Sequence, residues 1–213
     1  MIDLPGIYSL YPRTLDEKIV TEIFTHPQHN LYPDKVVLIA DATNLKNCLL
    51  LLTQLIDLKI PTVLALNMMD LAAKSGLSMD VKKLSKELDM PVVMINARVG
   101  HGIADLKKAV LKELRPSSVS VFAIEASIQR VVKLTREHFQ LTTDYEAYQY
   151  LQQPDNLVSL KAEDREWIKA TAKEHQFFAH KFQGAETVTR YGFIQELLNK
   201  VVLRKSTREW KKV

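Results

Sequence analysis

The chain has 213 residues, 46% hydrophobic and 25% charged, the proportions of an ordinary soluble globular protein with room for one domain of about 115–120 residues and a second, smaller one. A formal net charge of +4 with a pI near 9.0 is too mild an excess to indicate a nucleic-acid surface, and no stretch is low in complexity. The lone Cys48 excludes an internal disulfide and fits a reducing compartment; apolar runs such as Cys48 to Leu52 are far too short to cross a bilayer, and Asp3, Pro5 and Gly6 interrupt the stretch a secretory leader would need.

In chain order, the sequence opens on Asp3-Leu4-Pro5-Gly6, a DxPG element with almost no strand leading into it. Leu15, Ile19, Val20, Ile23 and Phe24 then recur at helical spacing, with Thr14 as the N-cap. Lys35 to Asp41 reads as a buried strand, and Ala42-Thr43-Asn44 as the turn and cap into a helix over 45–58, apolar on much of its surface like one lying on a sheet. Thr62 to Asn67, behind Pro61, is the clearest interior strand, an apolar and β-branched run that ends abruptly in Asn67-Met68-Met69-Asp70. A loop with Gly76, a charged helix over 81–88 and a strand over 92–96 follow. Gly100-His101-Gly102 then turns the chain into an amphipathic helix from Ile103 to about Leu114. Strands alternating with helices predict an α/β fold, a mostly parallel sheet wound in right-handed crossovers over residues 1–115. Arg115-Pro116-Ser117-Ser118 marks a boundary, with a linker over 116–120. Beyond it the pattern is helical only, with helices over 127–140, 145–152, 162–182 and 188–203 broken at Pro154-Asp155 and at Gly184; a small all-helical domain over 121–203 is expected. Residues 204–213, with Arg204, Lys205, Arg208, Lys211 and Lys212, form a basic tail.

Open α/β sheets bind ligands at the carboxyl ends of their strands, which makes Asn67 and Asp70 binding candidates. An ionised carboxylate at Asp70 accepts from both the ring N–H and the exocyclic amine of guanine, where adenine would offer it a lone pair. Asn67 can face a base nitrogen and tie neighbouring loops together. Hydrogen bonds to a charged group are worth about 1.5–3 kcal/mol each, so losing two is a strong filter against the wrong purine. Taken alone, NxxD describes equally an Asn that caps a loop and an Asp that caps a helix. The neighbouring motifs separate the two. DxxG lies upstream, NxxD about sixty residues later, and Asn96-Ala97-Arg98 about thirty beyond, closing a second apolar run; this is the order of elements in a regulatory-type GTPase domain. No GxxxxGK[ST] phosphate loop occurs in the chain, so that reading expects the loop, its helix, a first switch with a magnesium-binding Thr and two strands ahead of Met1. His175 and His180 are five apart, the wrong spacing to aim at one metal, and Tyr145, Tyr148 and Trp167 read as core or interdomain contacts.

The strings DLPGIYSL, DATNL, TQL followed by Pro, LALNMMD, and PVV followed by AR and G-x-G-I resemble the cytosolic region of bacterial ferrous iron transport protein B over most of residues 1–114. The helical part, including Arg190-Tyr191-Gly192-Phe193-Ile194, is similar in kind to that family's helical domain. The resemblance implies a GTPase domain lacking its N-terminal phosphate loop and first switch, a helical domain that modulates nucleotide release, and a parent membrane protein carrying an iron pathway, with this part at the cytoplasmic face of the bacterial inner membrane. It implies that Asp3 acts on magnesium through water and that the Gly6 amide meets the γ-phosphate. Asn67 and Asp70 would select guanine, Met68 stands where many GTPases place a Lys over the base, and the Ala97 N–H would bond the guanine carbonyl, with Asn96 replacing the usual Ser or Thr and Arg98 beside it. GTP or GDP with Mg would serve the intact protein. None is expected to stay on this chain alone, and no hydrolysis by it, because amides and a Lys around the phosphates carry most of the affinity. Expected partners are guanine nucleotide and the membrane-embedded remainder of the same protein, not nucleic acid; self-association is left open. The basic tail would flank a transmembrane segment following Val213. Two alternatives stand beside this reading: a soluble GTPase-like assembly factor binding RNA or ribosomes, for which the helical part shows neither a basic face nor a GxxG clamp, and a degenerate protein-binding domain.

Overall fold

In the computed structural model, which describes residues 1–204, side-chain caps set where α-helices begin after Thr14, Asp80 and Thr143; residues 205–213 of the basic tail lie outside the described residues. Helix α1 (Leu15–Thr25) opens on a reciprocal cap in which the Thr14 hydroxyl accepts from Glu17 N and the Glu17 carboxylate accepts from Thr14 N. Strand β1 (Val36–Asp41) ends in a carboxylate that accepts from Thr43 N at 2.8 Å, bending the chain through a short 3-10 turn into α2 (Leu45–Asp57). Strand β2 (Thr62–Asn67) is buried from Thr62 through Leu66, as the unbroken apolar run requires. After it come α3 (Met69–Lys74), β3 (Leu77–Met79), α4 (Val81–Leu88), β4 (Val92–Met94) and α5 (Ile103–Leu111). The second half contributes α6 (Gln129–His138), α7 (Asp144–Gln152), α8 (Ala162–Glu174), α9 (Ala179–Val201) and a terminal strand β5 (Val202–Arg204).

The sheet order is β1-β2-β4, all parallel, with Asp41 beside Asn67 and Ala65 beside Val93. On one face Leu38, Ala40, Leu64, Leu66 and Val92 pack with residues of α2, α4 and the C-terminal half of α9. A second core joins α1 and the end of α2 to α6, α7 and α8 through Val20, Ile23, Leu55, Tyr148, Tyr150 and Ile168. Among the described residues β1 is an edge strand, and Val37 and Ile39 on its other face stay 39% and 61% exposed.

The α/β class and the parallel sheet agree with the sequence, and several elements differ. The expected loop around Gly76 holds α3 and β3, and β5, expected to be the end of a helix, pairs antiparallel with β3. The helix predicted over 162–182 stops at Glu174, and Gln176 at φ +54 takes the turn. Gly184, expected to break the chain, lies inside α9. A glycine costs a helix interior only about 1 kcal/mol. The stripe of Phe182, Glu186, Arg190, Ile194, Leu197 and Val201, all buried on one side of α9, outweighs it. Strand β4 and helix α5 end earlier than expected, at Met94 and Leu111.

Candidate functional site

β2 carries Asn67 to the carboxyl edge of the sheet, where its side-chain oxygen accepts the Ala97 N–H at 3.3 Å. That bond ties the end of the central strand to the turn following β4. The turn is itself braced: Ile95 N donates to Leu66 O at 2.8 Å, and Asn96 N to His101 O at 2.9 Å. Gly102 closes it. At φ +78, a Cβ there would lie 2.1 Å from the Met94 carbonyl oxygen and 3.1 Å from Ile95 Cα, so only glycine lets the chain fold down onto β4.

Met68 takes the left-handed conformation at φ +61, unusual for a residue with a Cβ, and its carbonyl accepts from Leu71 N and Ala72 N at 3.1 Å to start α3. This reversal sets Asp70 in the first turn of α3, exposed, with no side-chain hydrogen bond among the described residues. Both of its oxygens are free to accept. Met68 (41% exposed) and Val99 (72% exposed) supply apolar surface on the two joined loops, and Arg98 is exposed beside Ala97. The edge therefore offers a carboxylate, an amide, a backbone donor and apolar flanks, which is the chemistry of a flat heterocycle with a donor edge.

The structure thus brings Asn67 to Ala97, and carries Met68, Asp70, Asn96 and Arg98 on the same two loops. Asp3 and Gly6 lie apart from them. They are exposed on an irregular segment that lines a groove of about 700 Å³ together with residues 30–39, Val20, Ile23 and Phe24, and the lining does not include the Asn67 edge. Among the described residues no group of three or more His, Cys, Asp or Glu could hold a metal ion, and no helix is long and apolar enough to cross a membrane.

Sequence reasoning missed two features. The clamp formed by His101 O and Gly102 was read only as a turn, although paired glycines flanking one residue are a signal of close backbone approach. The second is the fixing of Leu10 and Tyr11. Leu10 is fully buried; its N–H donates to Gln54 Oε1 at 2.8 Å and its carbonyl accepts from Gln153 Nε2 at 2.7 Å, while the Tyr11 hydroxyl donates to Glu186. Leu10 closes the string DLPGIYSL, but nothing in the local sequence marks its burial or the pairing of Tyr11.

Residues 1–110, just over half of the chain, match the family model described as Ferrous iron transport protein B. The chain belongs to that family. It is 38% identical over 111 residues to the Fe(2+) transporter FeoB of Leptospira biflexa, covering 52% of this chain and 16% of that protein. It is 29% identical over 234 residues to a FeoA/FeoB fusion protein of Porphyromonas gingivalis, covering 99% of this chain and 27% of that one. The chain thus spans at most about a quarter of the length of these relatives. Among solved structures, the cytosolic domain of L. pneumophila FeoB superposes with a TM-score of 0.74 at 28% identity, over 95% of this chain and 79% of that one. A GDP-bound S. thermophilus FeoB mutant gives 0.63 at 28% identity, over 94% and 80%. The FeoB fold accounts for the parallel sheet and for the mostly helical second half together.

Proposed function

We propose that this chain is part of the cytosolic GTP-binding module of a ferrous iron transporter, selecting guanine through Asn67 and Asp70 and coupling nucleotide state to iron(II) uptake across the bacterial inner membrane, at whose cytoplasmic face it works. The observation that carries the reading is the Asn67–Ala97 bond, which gathers the NxxD motif and the Asn96-Ala97-Arg98 turn into one edge at the carboxyl end of the central strand. The GDP-bound FeoB relative at 28% identity supports it. Guanine fits the edge chemically. The unpaired Asp70 carboxylate accepts N1–H and the exocyclic amine, and the Ala97 N–H, held only by a long 3.3 Å bond, is shared with the base carbonyl. Met68 lies over the base.

The phosphate side is different. Asp3 is an exposed carboxylate outside any group of three or more His, Cys, Asp or Glu among the described residues, so the protein side chains alone do not build a magnesium cage. In the intact protein Asp3 would reach a phosphate-bound ion only through water, and the Gly6 amide would face the terminal phosphate. The segment following Gly6 would then shift the helical half against the sheet and alter a membrane gate.

The test is an exchange of base preference in the cytosolic region of the intact transporter. Xanthine presents N–H beside a carbonyl where guanine presents N–H beside an amine, so Asp70→Asn, with one acceptor and one donor, is expected to turn preference from guanosine to xanthosine diphosphate. A variant that keeps the original guanine affinity refutes the assignment of Asp70.

A further inference from the structure

Helix α9 is 23 residues long, about 34 Å at 1.5 Å per residue, and its middle and its C-terminal end are each fastened to a different piece of the sheet half. At its middle the fastening is a buried polar cluster. Glu186 and Arg190 are fully buried, and Asp57, the last residue of α2, is nearly so. Arg190 Nε donates to Glu186 Oε1 at 2.6 Å and Nη1 to Asp57 Oδ2 at 2.8 Å. Glu186 Oε1 also accepts from the Tyr145 hydroxyl at 2.5 Å, and its other oxygen from Tyr11. Asp57 accepts the amides of Val121 and Phe122 at 2.9 and 3.1 Å, and the guanidinium lies 4.7 Å from the Tyr145 ring centroid. Removing any member strands a buried charge or dipole in a low-dielectric interior, so the group moves together or not at all. Tyr11 joins the segment that follows Asp3-Leu4-Pro5-Gly6 to this group directly, and Leu10 joins it at one remove: its carbonyl accepts from Gln153 Nε2, which also donates to Gln149, whose amide donates to the Tyr145 hydroxyl.

The far end is fastened to the base-reading side. α9 runs into β5 without a loop, and Val202, Leu203 and Arg204 pair with Met79, Ser78 and Leu77 of β3. Asp80 N donates to Val201 O at 2.9 Å, and Lys200 meets Glu87 at 2.7 Å. β3 follows α3 through Ser75 and Gly76 alone, and α3 carries Asp70 in its first turn. Six residues, Leu71 to Gly76, separate Asp70 from the strand that grips β5.

We infer that α9 is a strut between the segment after Gly6 and the α3–β3 unit bearing Asp70, so that displacement at either end reaches the other and the outgoing strand β5. Its connection to nucleotide rests on the proposed function above, while its mechanics do not. The Gly6 segment and the α3–β3 unit are then read by one helix, and their combined state reaches β5.

The experiment is backbone hydrogen exchange on the full chain without nucleotide, so that its outcome is independent of guanine selection. Tyr11→Phe removes the hydroxyl bond to Glu186. Exchange is expected to rise about tenfold around Leu10 and residues 186–190, and at least threefold at Val202 to Arg204, with Val63 to Leu66 unchanged. In the reverse direction Leu203→Pro, which disrupts the β3–β5 pairing, raises exchange at Leu10 and Tyr11, as coupling between two sites must be mutual. If the proline variant does not fold, Leu203→Gly weakens the same ribbon while keeping its N–H. Effects confined to the mutated end, no effect at either end, or one uniform factor across all amides would each overturn the strut.

Discussion

Replacing Gly102 with Ala isolates the contact that closes the Asn96–Gly102 turn, because Gly100 provides a matched control. Both glycines have positive φ, +75 and +78, so both alanine variants carry the same backbone strain, about 1–2 kcal/mol, partly offset by about 0.4–1 kcal/mol from the stiffer unfolded chain. At Gly100 nothing lies within 4 Å of the added Cβ. At Gly102 the new carbon would sit 2.1 Å from the Met94 carbonyl oxygen, inside the 3.0 Å that real Cβ atoms respect, and the obstacle is backbone rather than a side chain that can swing away. The turn must lift by roughly 0.9 Å, the difference between those two distances. Overpacking of this kind costs about 1–3 kcal/mol, so Gly102→Ala is expected to lose that much beyond Gly100→Ala in urea denaturation followed by far-ultraviolet circular dichroism. The lift also pulls Ala97 from Asn67, so the Ala97 amide resonance should move in the Gly102 variant and not in the control. Equal stabilities for the two variants would refute the reasoning.

Arg190→Met leaves Asp57 and Glu186 buried without a cation, and urea denaturation should show a loss of about 3–5 kcal/mol; adding Asp57→Asn and Glu186→Gln should recover part of it, and a loss below about 1 kcal/mol for the single change contradicts the cluster as drawn. His26 is predicted to make stability depend on pH: burial holds its imidazole below the usual 6.5, and Nδ1 pairs with the Tyr150 hydroxyl at 2.5 Å. The folded state binds fewer protons, so this contribution is present above about pH 6.5 and is lost as the pH falls through the depressed folded value. The stability advantage of the native chain over His26→Asn should therefore shrink between pH 7 and pH 5, and an advantage that grows on acidification would reverse the sign.

What could be read from the sequence were the elements whose causes are local. Thr14 and Glu17 announce α1 three residues apart, and Thr62 to Leu66 announces an interior strand because every position is apolar or β-branched. The nearness of Asn67 to Ala97 followed from two apolar runs ending alike, since adjacent parallel strands bring their carboxyl ends together. α3 and β3 are too short, at six and three residues, for a period to register, and β3 becomes a strand only because residues 202–204 return to it. Gly184 misled because propensity speaks for one position and burial for a whole stripe. Glu186 and Arg190 have the spacing of an exposed surface pair; their burial depends on Asp57, 133 residues away from Arg190, and on Tyr11.

The bare margin of β1 has a practical meaning for handling the isolated polypeptide. Among the described residues β1 has a strand neighbour on one side alone, with the β-branched side chains of Val37 and Ile39 exposed and residues 1–7 lining the same groove as residues 35–39. An edge of this kind is a template for a like chain, so light scattering from the purified molecule is expected to rise with its concentration.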